Sequence, residues 1–103
     1  MELINQTRKL KVIAQTYLSL IRVIKNLGML PSYTQSLNAY CGFCANVEIA
    51  FLSLPTPLKR IINNDFFYQD YPGWWKLSYS KHQYLKLREQ AIRKFMEAYN
   101  EIN

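Results

Sequence analysis

Leu3, Leu10, Ile13, Tyr17, Leu20, Ile24 and Leu27 recur at steps of three, four or seven residues, and this spacing constrains the fold more than any other feature. An α-helix turns once in about 3.6 residues, so such a spacing gathers the side chains into one stripe. Leu18 and Ile21 widen the stripe. Gly28 and then Pro31 form a stop signal, so the spacing predicts a first helix over 3–27. Ser32, with Gln35 three residues on, opens a second helix in capping-box spacing. Its apolar face is Leu37, Tyr40, Cys41, Cys44, Val47, Phe51 and Leu54, and Pro55 ends it. Thr56 suits the N-cap and Pro57 the first position of a short third helix, 58–65, which carries Leu58, Ile61 and Ile62 and fades at Asn63-Asn64-Asp65.

Residues 66–79 break the period. Pro72-Gly73 marks a turn, and 74–77 fits a single helical turn after it. Ser80 and Gln83 then repeat the capping-box spacing, and a last helix follows over 81–101. Its inner face is Tyr84, Leu85, Arg88, Ala91, Ile92, Phe95 and Tyr99. No segment alternates as a strand would, and no internal repeat occurs. The expected fold is all-α: a compact bundle of four to five helices with a degenerate helix-turn-helix in the C-terminal half. A length of 103 residues fits one domain, with a long helical hairpin over 1–54 and a helix-turn-helix-like half over 56–103.

Charge narrows the partners. The chain is 50% hydrophobic and carries a net charge of +6, so it can form a core and favours anionic partners. Residues 1–28 hold Arg8, Lys9, Lys11, Arg22 and Lys25 against Glu2, a net +4. Residues 29–80 balance to zero, and residues 81–103 carry a net +2. The basic excess therefore lies on the first and last helices. It reads either as two solvated faces or as a phosphate-binding surface.

Catalytic chemistry finds little to work with. His82 is the single histidine, and Glu48, Asp65 and Asp70 have no spacing that suggests an acid–base pair. Cys41-Gly42-Phe43-Cys44 is a C-x-x-C, but it falls within a helix and on its apolar stripe. It reads as two small core residues, with Gly42 allowing close helix packing, rather than as a redox pair or half of a zinc site. No enzyme activity, cofactor or metal is expected. The aromatic cluster of Phe66, Phe67, Tyr68, Tyr71, Trp74 and Trp75 could stack on single-stranded nucleic acid. A small core beneath an irregular connection is the more frequent use of such a cluster. The N-terminus lacks the order of a signal peptide, and no apolar run approaches the roughly 20 residues of a spanning helix, so the expected compartment is the cytoplasm, with no membrane partner.

The last helix opens Ser80-Lys81-His82-Gln83-Tyr84-Leu85-Lys86. The second helix of a helix-turn-helix places its first residues in the major groove. Lys, His and Gln can donate to base edges there, while Ser80 and the helix N-terminus can hold a phosphate. An ordinary amphipathic terminal helix has the same periodicity.

Several stretches carry a family likeness: Val47-Glu48, Leu54-Pro55, Leu58-Lys59-Arg60-Ile61-Ile62, the run from Tyr79-Ser80-Lys81 to Leu87-Arg88, and Ala91-Ile92-Arg93-Lys94-Phe95-Met96-Glu97-Ala98-Tyr99. Over residues 47–100 the chain resembles the end of the phage ArpU-type transcriptional regulators, a family similar to region four of sigma factors. Where that family has a middle helix with a tight turn, this chain has Tyr71-Pro72-Gly73-Trp74-Trp75. The resemblance implies a small DNA-binding regulator of a phage or mobile element in a Gram-positive host, reading DNA with Ser80, Lys81, His82, Gln83 and Lys86.

The expected function is thus duplex DNA binding, with phosphates met by Lys59, Arg60, Arg8, Lys9 and Lys11. RNA polymerase or another regulator is a further candidate partner, and the heptad-like steps of the first helix allow a homodimer. The rival expectation is a small helical protein-interaction module, a bacteriocin-immunity-type or regulator-binding bundle that binds no DNA, with the aromatic connection as its docking surface.

Overall fold

A computed structural model describes the backbone of residues 2–27 and 34–102, and the side chains of 2–23 and 42–102. Among the described residues there are four α-helices and no strand. They are α1 (Glu2–Leu27), α2 (Thr34–Leu52), α3 (Thr56–Ile62) and α4 (Lys81–Ile102). A π-helical turn, Asn63–Phe67, extends α3 directly. The all-α architecture expected from the periodicity is present. The Gly28 and Pro31 stop, the Ser32 cap and the side chains of Ile24, Leu27, Leu37, Tyr40 and Cys41 lie outside the described residues.

One apolar core joins all four helices. Leu10 and Ala14 of α1, Val47 and Ala50 of α2, Ile61 and Ile62 of α3 and Ala91, Ile92 and Phe95 of α4 are each 1% exposed or less. Leu54, Leu58, Phe66 and Met96 complete it. Among the described residues it contains no buried polar or charged residue. Full burial of each large side chain contributes about 1.5–3 kcal/mol. Leu85, expected on the inner face of α4, is 49% exposed instead. Met96, one residue past Phe95 and outside the expected inner face, is buried in the core. Gly42 also departs from expectation. A Cβ built there meets nothing within 4 Å, so no neighbouring helix approaches it closely.

The helix ends follow local chemistry. α2 stops at Leu52, and the Ser53 hydroxyl donates to the Ala50 carbonyl at 2.7 Å. Pro55, not Thr56, is the N-cap of α3, and no side chain caps it. Thr56 and Pro57 therefore occupy its first two helical positions, where the missing proline N–H removes no helical bond. The third helix does not fade at Asp65. It widens into the π turn, in which the Tyr68 N–H donates to the Asn63 carbonyl at 2.8 Å. Two amide side chains satisfy carbonyls of this segment: Asn64 Nδ2 donates to Arg60 O at 2.9 Å, and Gln69 Nε2 to Asp65 O at 2.6 Å. Residues 72–78 form a run of hydrogen-bonded turns rather than one helical turn at 74–77.

The N-terminus of α4 matches the sequence reading. The Gln83 N–H donates to Ser80 Oγ at 3.2 Å, and the Ser80 N–H donates to Gln83 Oε1 at 3.0 Å. This reciprocal pair is a capping box.

Candidate nucleic-acid interface

Asp65, in the π turn, sets the position of the start of α4. Its Oδ1 accepts from Trp74 Nε1 at 2.9 Å. Its Oδ2 accepts from the Tyr84 hydroxyl and from Arg88 Nε, the latter at 3.3 Å. One carboxylate thus ties α3, the aromatic connection and α4 together. Trp75 stacks on Tyr84 with centroids 4.3 Å apart and planes 6° from parallel, and Trp74 meets the same ring edge-on at 6.3 Å. Arg60 lies over Trp74 at 5.7 Å and Arg88 over Phe66 at 5.0 Å. Burial, then the hydrogen bond and charge of Asp65, push the Tyr84 phenol up to about 12.

The aromatic cluster divides accordingly. Phe66 is buried in the main core, half-buried Phe67 packs on Tyr17 and Phe51, and half-buried Trp74 and Trp75 pack on Tyr84, so the cluster is shared between the bundle core and the start of α4 rather than forming one small core of its own. Tyr68 and Tyr71 are exposed, as is Leu77. A row of stacked bases would need the two tryptophan faces, and Tyr84 already covers one face of Trp75.

Above this anchor, Ser80, Lys81, His82, Gln83 and Lys86 are all exposed. The structure brings these five expected site residues together at the capped start of α4. His82, Gln83 and Lys86 fall within about 100° of arc on α4, whereas Lys81 lies about 140° round from Lys86. Gln90, also exposed, continues the His82–Gln83–Lys86 face one turn on, and the helical period could have identified it. Arg93 follows on the same side, held by Glu89 at 3.0 Å. The capping box occupies the Ser80 and Gln83 N–H groups and the Gln83 carbonyl oxygen. Gln83 Nε2 and the N–H groups of Lys81 and His82 at the helix end remain for a ligand.

The other basic residues sit elsewhere. Arg60 is engaged with Trp74, and Lys59 is half-buried. Arg8, Lys9 and Lys11 are exposed on α1. A polar hollow bounded by Gln6 of α1 and by Arg93, Glu97, Asn100 and Glu101 of α4 shows that the start of α1 lies beside the far half of α4. The start of α1, which carries these three basic residues, is therefore nearer to the C-terminal half of α4 than to its opening at Lys81. The reason is topological: a stripe in sequence gives the face of a helix but not its direction against a helix some 80 residues later.

Among the described residues no group of His, Cys, Asp and Glu is placed to hold a metal ion, and no helix is long and apolar enough to cross a membrane. Cys44 is buried in the bundle. Comparison with protein-family models, with curated proteins and with solved structures finds no match to this chain.

Proposed function

We propose that this protein is a small transcriptional regulator that binds double-stranded DNA through the first half of α4. The reading rests on one observation: His82, Gln83, Lys86 and Gln90 form an exposed polar face on a helix whose start is capped and anchored through Asp65. A preorganised face of donors costs little ordering on binding, and these side chains suit base edges and phosphates. Lys81, on the adjoining side, meets a phosphate. Arg8, Lys9 and Lys11 meet phosphates farther along the duplex, since α4 spans about 33 Å, close to one DNA turn. Action in the cytoplasm, in a phage or mobile-element setting, belongs to the same reading, as does contact with RNA polymerase or another regulator.

The test is the paired substitution Lys81→Ala and Lys86→Ala. Both positions are exposed, so helicity by circular dichroism is expected to stay the same. Affinity for a generic duplex is expected to fall by about tenfold, the loss of two phosphate contacts or base contacts. Unchanged affinity would remove α4 from the interface.

A further inference from the structure

Away from the polar face of α4 lies a half-open hollow that the proposed DNA binding does not use. It is a cleft of about 300 Å³ between α1, α2 and the π turn, lined by Tyr17, Val47, Glu48, Phe51, Phe67 and Tyr68 among others. Its size is at the lower end of small-molecule sites, roughly 300–1,000 Å³. Four of these residues are aromatic. Tyr17 meets Phe67 edge-on at 5.6 Å and 79°, and Phe51 meets Phe67 at 6.4 Å and 68°. Each edge-on contact covers one face of one ring, and an aromatic ring has two faces. The π turn is what makes this wall, since it carries Asn63 and Phe67 to the cleft while Asp65 bonds to α4.

The charge of the cleft is opposite to that of the chain. In a protein of net charge +6, no Lys, Arg or His lines it among the described residues, and Glu48 does. Glu48 Oε1 accepts the Tyr17 hydroxyl at 2.6 Å, which fixes the carboxylate at the edge of the aromatic wall. The second oxygen of the carboxylate retains its acceptor sites. We infer that this cleft binds a free small organic cation, an ammonium bearing an aromatic or alkyl body. The ring faces and Glu48 receive the charge, and Val47 and Phe51 receive the apolar part. An anion of the same shape would meet Glu48 and the negative ring faces and be rejected. This inference does not depend on DNA binding, since none of the described lining residues belongs to α4.

The test is a titration of the isotope-labelled protein with benzyltrimethylammonium chloride, followed by amide chemical shifts, with sodium phenylacetate as the anionic counterpart. Saturable shifts are expected, clustered at residues 17, 47–52 and 63–68, with a dissociation constant on the order of 1 mM. Phenylacetate is expected to give none. Glu48→Gln should weaken binding by about fivefold, and Tyr68→Ala, at an exposed position outside the helices, by a similar factor. Should the first variant fail to fold, the second carries the test. The inference is overturned if the ammonium gives no saturable shifts, if they map elsewhere, or if phenylacetate binds as well.

Discussion

Asp65 shows how much can rest on one side chain. Its carboxylate is 11% exposed and accepts from an indole, a phenol and a guanidinium drawn from two segments of chain. Removing it leaves three donors with reduced access to water, and partners of charged groups are the expensive ones to strand. Asp65→Ala is expected to destabilise the fold by about 2–3 kcal/mol in denaturant unfolding. A loss below about 0.5 kcal/mol, the range of an ordinary surface change, would show that the cluster holds nothing in place. Tyr84 reports on the same contact. Its phenol titrates higher in the folded protein, at about 12, than in the unfolded chain, at 10.0. The folded state therefore holds this proton more tightly. The stability this supplies is present below pH 10 and is lost as pH rises from there through about 12. Tyrosinate absorbance should show a late-titrating component that Tyr84→Phe removes. Burial and the Glu48 hydrogen bond also raise the Tyr17 phenol, so that second late component should survive the substitution.

At the scale of elements, legibility followed the range of the interaction. Ser80 and Gln83 are three residues apart, and their cap is settled within one helical turn, so the sequence states it outright. Helices α1 and α4 were visible because each stripe spans many turns. The π turn was not visible: widening a helix by one residue depends on what Phe66 and Phe67 pack against, and those partners are on α1, α2 and α4. Gly42 was misread for the same reason, since the sequence cannot tell a glycine beneath a helix crossing from one in open solvent. Two substitutions separate these cases. Ser80→Ala should cost about 1 kcal/mol by loss of the N-cap. Gly42→Ala, mid-helix and unobstructed, should stabilise by about 0.5–1 kcal/mol. A destabilising Gly42→Ala would mean that a helix does approach there.

For the whole molecule, the sign of the charge is legible in the sequence but its layout is not. Arg8, Lys9 and Lys11 share a net +4 segment, and Lys81 and Lys86 open a net +2 segment. Only the packing shows that the two sets lie at different levels along α4. Asp65 had no signal at all, because a carboxylate among scattered acids looks the same whether it is solvated or holds three donors. The proposed DNA binding through both basic sets requires several phosphate contacts, whereas a protein-docking module requires none. Titration of a labelled generic DNA duplex at two salt concentrations separates these accounts most directly. Each neutralised phosphate contributes about 0.9 to the slope of log affinity against log salt. The account predicts binding at low salt with a slope magnitude of roughly 4–6, from Lys81, Lys86 and the α1 residues together. Absence of binding at the lower salt would contradict it, and would leave the +6 as solvated surface.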